Sequence, residues 1–153
     1  MYDVYTDGSV RQPLNRLGWG VVICENQASQ AKLLSGQNKG PRTSTEMELE
    51  AIIYAVRYLK KKDPYKKIKV HTDCQAIVQR FKGLFKSNKY KELWDSFLKE
   101  IKFLKDFKLV YLPKRKTNFW ALTAHHLSRG ETISPTPPLG WGVEHTTLHQ
   151  SVL

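Results

Sequence analysis

Three carboxylates stand where an α/β protein builds chemistry. Asp7 follows a short β-forming run, Tyr2 to Thr6, and opens the turn-like string Asp7-Gly8-Ser9; Asp73 follows a second such run, Lys67 to Thr72. Glu48 falls in the first turns of a helical pattern lying between them in sequence. If the two strands are neighbours, as a parallel crossover through that helix would make them, the three acids converge on one end of a sheet. Such a cluster repels itself. A hard divalent cation relieves the repulsion, and oxygen ligands of this type suit magnesium or manganese rather than zinc. Spacing alone leaves three unrelated surface acids as the alternative.

Positioning those acids requires a particular order of elements. Tyr2–Thr6, Trp19–Cys24 and Ala31–Ser35 read as three strands joined by short polar turns, an antiparallel meander. Thr43-Ser-Thr-Glu46 is a capping-box pattern, and Met47, Ala51, Tyr54, Ala55, Tyr58 and Leu59 follow at helical spacing, so a helix is expected over 44–61. A fourth strand over 67–72 and a helix from Cys74 to Phe81 come next. Leu93, Trp94, Phe97, Ile101 and Leu104 then mark an amphipathic helix over 90–104 with lysines between them. A fifth strand over 107–112 and a last short helix over 121–128 complete the pattern. The fold class is α/β: a mixed five-stranded sheet, three antiparallel strands and then parallel strands, flanked by helices. Residues 1–129 form the domain. Residues 130–153, with Ser134-Pro-Thr-Pro-Pro-Leu-Gly140, read as an irregular Pro-containing tail with no assignable role.

Composition narrows the partners. With 153 residues, 41% hydrophobic and 25% charged, the chain is long enough for one core and is neither disordered nor fibrous. Its net charge is +11, and the segment from Arg57 to Lys116 holds 19 basic against 6 acidic residues. Phe81, Phe85, Tyr90 and Trp94 interleave with those lysines, the pattern of a face that grips a nucleic acid, although a solvated lysine surface over core aromatics would look similar. No apolar run reaches the roughly 20 residues of a membrane span, and the N-terminus lacks a signal-peptide pattern. A soluble cytoplasmic protein is expected. Cys24 and Cys74 match neither a disulfide framework nor a zinc spacing, so both read as small buried side chains in a reducing compartment.

The strings Tyr5-Thr-Asp7-Gly-Ser9, Thr45-Glu-Met-Glu48-Leu-Glu-Ala51 and His71-Thr-Asp73-Cys-Gln75, with Gly18-Trp-Gly20 at the second strand, resemble the motifs of type 1 ribonuclease H in the family's order. The resemblance covers roughly residues 1–129. It implies a ribonuclease H-like fold and an endonuclease that hydrolyses the RNA strand of RNA/DNA hybrids with two metal ions, leaving 5′-phosphate and 3′-hydroxyl ends. The ion implied is Mg2+, with Mn2+ a possible substitute. Asp7, Glu48 and Asp73 match the family's catalytic, metal-binding acids, with Asp7 bridging both ions. Ser9, Ser44 and Gln75 match residues that contact the hybrid near the scissile site, and Thr43 a position that helps hold a phosphate of the DNA strand; Thr43 and Ser44 equally suit a helix N-terminus. The partner implied is an RNA/DNA hybrid, with no membrane, no small-molecule cofactor and a monomeric chain.

The last helix departs from the family. A fourth acid is normal there, yet no Asp or Glu occurs from Lys108 to Gly130. Aligning Asn118-Phe-Trp-Ala121 puts Leu122 in its place; aligning Ala124-His125-His126-Leu-Ser-Arg129 puts His125 there. The second alignment is preferred, because an imidazole can bind a metal or hold a water and Leu122 cannot. His125 is thus the expected fourth catalytic and metal-binding residue, with a solvent-facing helix residue as the alternative. The loop Pro113-Lys-Arg-Lys-Thr117 lacks the histidine many members carry, and Lys82 to Lys91 is shorter than the long basic handle of some bacterial members, though its lysines could serve the same groove. The lost acid makes a non-catalytic ribonuclease-H-like module, binding nucleic acid or serving a structural role, the rival reading. Three intact motifs argue against it, since nothing else would retain so costly a charge cluster.

Overall fold

The structure is a computed structural model that describes residues 1–11, 16–38, 42–84, 86–113, 117–131 and 137–148. Its strands are β1 (Tyr2–Arg11), β2 (Arg16–Glu25), β3 (Gln30–Asn38), β4 (Ile68–Thr72), β5 (Phe107–Tyr111) and β6 (Gly142–Leu148). The helices are α1 (Ser44–Lys62), α2 (Gln75–Phe81), α3 (Lys91–Ile101) and α4 (Phe119–Ser128). The strands form one sheet in the order β5-β4-β1-β2-β3-β6. β1, β2 and β3 pair antiparallel, whereas β4 runs parallel to β1, β5 to β4 and β6 to β3.

Each sheet face carries its own core. Tyr2 and Val4 of β1 and Leu17, Trp19, Val21 and Ile23 of β2 pack against α1 and, through Leu93, Trp94 and Phe97, against α3. On the opposite face Val22, Cys24, Ala31 and Leu33 meet Trp120, Ala124 and Leu127 of α4. β2 is therefore buried on both faces, which is why its sequence, WGVVIC, reads as an unbroken apolar run rather than an alternation. Burial pushes the Cys24 thiol up to about 12, as befits an inert core cysteine, and both cysteines are free.

Two elements differ from expectation. β1 does not end before Asp7; it continues through Gly8 and Ser9, because Gly8 and Ser9 pair with Trp19 and Gly18 of β2. Antiparallel pairing overrides the local turn chemistry of Asp-Gly-Ser. The sheet also has six strands where five were expected, and the sixth comes from the segment read as an irregular tail. β6 is tied to β3 by Lys32 Nζ, which donates to Glu144 Oε1 and Thr146 Oγ1, each at 2.7 Å, and by Ser35 Oγ and His145 Nε2 at 3.1 Å. Trp141, just before it, packs on Trp120 with ring centroids 5.5 Å apart. β6 escapes sequence reading because it is an edge strand with most of its residues exposed, so no apolar alternation marks it. Lys114–Lys116 of the basic loop, Phe85, and 132–136 with Ser134 and Pro135 lie outside the described residues.

Candidate active site

The acids gather where β1 outlasts its parallel neighbour. β1 pairs with β4 only through Tyr2–Tyr5, opposite Ile68–His71, and then continues alongside β2 alone. Asp7 lies two residues beyond that last pair, and Asp73 lies one residue beyond the end of β4. Both side chains thus stand at the fork between the strands. Glu48 comes from α1, whose start is held by a reciprocal capping box: Thr43 Oγ1 accepts from the Glu46 N–H at 3.2 Å, and Glu46 Oε1 accepts from the Thr43 N–H at 3.1 Å.

Gly8 brings the helix down onto the strand. A Cβ at Gly8 would lie 2.3 Å from the Met47 carbonyl carbon and 2.5 Å from the Glu48 nitrogen, so only glycine permits this approach. In return the Gly8 N–H donates to Glu48 Oε1 at 3.0 Å, and the Thr72 hydroxyl stands 3.5 Å from Glu48 Oε2. One carboxylate oxygen from each of Asp7, Glu48 and Asp73 lies within 4.8 Å of the others. Asp7 is 3% exposed, Glu48 8%, and Asp73 half-buried. Burial holds the Glu48 acid well above its ordinary range, reinforced by the Asp7 charge, a hydrogen bond shared with Asp7 and the Asp73 charge, and opposed by the Gly8 N–H. A proton on Glu48 thus relieves the crowding of three negative charges. Oxygen-only donors under mutual repulsion are a fitting set for a hard divalent cation.

The other face contributes α4. A Cβ at Gly20 would fall 2.3 Å from the Ala124 carbonyl oxygen, and one at Gly18 would fall 1.9 Å from that of Ser128, so these glycines let the helix lie against β2. That approach delivers His125, three residues after Leu122, to the acids: its Nδ1 lies 2.9 Å from Asp7 Oδ2. The Ser128 hydroxyl reaches the same Asp7 oxygen at 3.1 Å and the His125 carbonyl at 2.7 Å. Ser128 carried no signal of its own in the sequence; its spacing of three from His125 on one helix face is the feature that would have found it. His125 meets the cluster at Asp7 and is not itself within the three-acid group.

The remaining candidates are placed differently. Ser9 is partly buried, and its hydroxyl donates to the Ser128 carbonyl at 2.8 Å, tying β1 to α4. Thr43 is the exposed N-cap of α1, Ser44 its exposed first residue, and Gln75 the exposed first residue of α2. The structure therefore brings Asp7, Glu48, Asp73 and His125 together and leaves Thr43, Ser44 and Gln75 at helix starts. Among the described residues, no helix is long and apolar enough to cross a membrane.

Comparison with known proteins adds the following. A family model described as RNase H matches residues 1–132, ending before β6. No curated protein matches the chain. Among solved structures, LC11-RNase H1 in complex with an RNA/DNA hybrid superposes with a TM-score of 0.72 at 22% identity, covering 86% of this chain and 96% of that one. RNase H1 from the halophilic archaeon Halobacterium salinarum NRC-1 gives 0.65 at 19% identity, covering 84% and 98%. A foamy viral protease-reverse transcriptase in complex with an RNA/DNA hybrid gives 0.65 at 16% identity, covering 84% of this chain and 19% of that one. At these identities the likeness to solved structures is one of fold.

Proposed function

Because the chain belongs to the RNase H family, we propose that it hydrolyses the RNA strand of RNA/DNA hybrids, with Asp7, Glu48, Asp73 and His125 as its catalytic residues. The observation that carries this reading is the convergence of three carboxylates within 4.8 Å at the β1–β4 fork. Two of the solved structures it resembles were captured with an RNA/DNA hybrid, which supports the same class of substrate here.

Asp7, Glu48 and Asp73 would hold divalent ions, Mg2+ by the hardness of the donors with Mn2+ a substitute, and two such ions would activate water and stabilise the leaving oxygen to give 5′-phosphate and 3′-hydroxyl ends. What the chain itself does is orient and neutralise. The Gly8 N–H holds one Glu48 oxygen, leaving the other toward Thr72 and the neighbouring acids. His125 and Ser128 converge on one Asp7 oxygen and fix the rotamer of the most buried ligand. His125 would serve as the fourth ligand or hold a water, and with an imidazole in place of a carboxylate the site carries one negative charge fewer than four carboxylates. Asp73, less buried, is the acid open to an incoming phosphate. Thr43 and Ser44 place a hydroxyl pair at the N-terminus of α1, where backbone N–H groups favour a phosphate. Gln75 and Ser9 complete the proposed contacts to the hybrid. The lysines of the segment from Arg57 to Lys116 neutralise both backbones, which makes affinity salt-dependent.

The test is cleavage of RNA/DNA, RNA/RNA and DNA/DNA duplexes with magnesium, by the wild type and by Asp7→Asn and Asp73→Asn. Only the hybrid should be cut, and each variant should lose at least about 100-fold in rate. Wild-type activity in either variant would overturn the assignment of the acids. Tight hybrid binding without cleavage would favour the non-catalytic module.

A further inference from the structure

Between α2 and α3 the chain crosses a short connector carrying exposed Lys82, Lys86 and Lys89, with exposed Lys91 at the start of α3. Folding alone does not favour Lys89 and Lys91, because cations at the N-terminus of α3 oppose the helix dipole. Glu92 and an Lys91–Asp95 pair at 3.8 Å offset this only locally. Tyr90, the residue before α3, is held at φ 42°, a left-handed conformation that is strained for a bulky aromatic side chain, and no side chain caps the helix. Something else must hold this geometry.

One side chain does. Arg80, in the last turn of α2, lays its guanidinium 4.4 Å from the Trp94 ring centroid and 4.9 Å from that of Tyr90, and its Nη1 donates to the Lys89 carbonyl at 2.9 Å. Trp94 is in turn anchored on Phe97 in the core, with centroids 5.2 Å apart. Arg80 also ends α2: its own carbonyl accepts the Gly83 N–H at 3.1 Å. The connector thus leaves Arg80 at one end and returns to it at the other. A planar guanidinium suits this task in a way an ammonium does not, since it stacks on rings while donating in its own plane.

We propose that Arg80 is a positioning residue for nucleic-acid binding: by fixing Lys89, Tyr90 and the start of α3 against the end of α2 it presents Lys82, Lys86, Lys89 and Lys91 together to the phosphates of the hybrid. This rests on the hybrid-cleaving reading above and identifies what orders its basic face. Arg80 acts through the lysines, its own charge being spent on Tyr90, Trp94 and the Lys89 carbonyl.

The experiment is steady-state hybrid cleavage across a salt series, with thermal unfolding measured alongside, for Arg80→Gln, Arg80→Lys, a Lys82→Gln/Lys86→Gln/Lys89→Gln variant and the combination of that triple change with Arg80→Gln. Arg80→Gln should raise KM roughly 3- to 10-fold with kcat within about twofold, and should flatten the dependence of log KM on log salt by more than the one phosphate contact its own charge could make. Arg80→Lys should fail to restore KM although it restores the charge. In the triple-lysine background Arg80→Gln should have little further effect. Full rescue by Arg80→Lys, an Arg80→Gln effect undiminished in the triple background, or an unchanged KM and salt slope would each overturn the inference while leaving hybrid cleavage standing. A wild type that neither cleaves nor binds hybrid would remove the underlying reading and this inference with it.

Discussion

Replacing Glu48 by Gln should make the metal-free protein more stable while abolishing cleavage. Glu48 is buried among like charges, and its acid is held well above the ordinary carboxylate range by burial, by Asp7 and by Asp73. In the unfolded chain the same group titrates near 4.5. Between that pH and the folded value the folded state binds one proton more than the unfolded state, so stability falls as pH rises through the interval. Each pH unit costs about 1.4 kcal/mol. At pH 7 the loss therefore cannot exceed about 3.4 kcal/mol, the free energy of retaining a proton over the interval from 4.5. Leaving Glu48 charged would be no cheaper, since unit charges within 4.8 Å of one another repel by at least about 3.5 kcal/mol per pair at an effective dielectric of 20.

A glutamine carries no charge and its amide oxygen can still accept from the Gly8 N–H, so the variant should be more stable at pH 7, by at most about 3.4 kcal/mol, which bounds the rise in Tm at roughly 10 °C for a chain of this size. Thermal unfolding with a chelator from pH 4.5 to 8 measures it. The gap should be smallest at the acid end and widen as pH rises. Magnesium should then narrow it by stabilising the wild type more, by about 2.7 kcal/mol at a hundredfold excess over Kd. Equal Tm values across the range, or a gap that widens toward low pH, would refute the argument that crowded carboxylates strain the metal-free site.

Two further outcomes follow from the same geometry. Removing the imidazole in His125→Ala takes a partner from Asp7 Oδ2 and should weaken metal-induced thermal stabilisation and cleavage in both magnesium and manganese, whereas His125→Asp should lower metal-free stability by adding a fourth acid yet enlarge the magnesium-induced Tm shift; identical metal dependence in all three proteins would remove His125 from the site. Gly8→Ala drives a methyl group to 2.3 Å from the Met47 carbonyl carbon, where neither α1 nor β1 can yield, and should cost about 3 kcal/mol or more, seen as a Tm lower by roughly 10 °C together with lost cleavage; a Tm within 2 °C of wild type would show that α1 can shift without cost.

The three acids and the elements bearing them were legible in the sequence because each rests on local rules. The start of α1 needed only Thr43 and Glu46, three residues apart, and their reciprocal bonds form within one turn. Period-two and period-3.6 patterning located the strands and helices, and the parallel crossover from β1 through α1 to β4 then placed Asp7 beside Asp73 with few alternatives. Alternation failed where burial did not alternate. β6 pairs with β3 across more than one hundred residues of chain while exposing most of its side chains, so nothing in Gly142–Leu148 announces a partner.

The fourth position shows the same division. Two alignments of the last helix offered Leu122 and His125, and residue chemistry favoured His125, but the sequence could not say whether that side chain reaches the acids. Docking put only one of them beside Asp7: Gly18 and Gly20 admit α4 against β2 at a distance no side chain would allow, and at that depth His125 and Ser128 reach the same oxygen of Asp7. Ser9, read from its motif as a substrate contact, also ties β1 to Ser128 in that same junction. The sequence by itself determined which acids could do the chemistry and which elements carry them, because propensity, capping and periodicity act over a few residues. Only the tertiary structure decided how closely α1 and α4 approach the sheet, and so which side chains share Asp7, because that depends on two helices and three glycines meeting across contacts 40 to 121 residues apart in the chain.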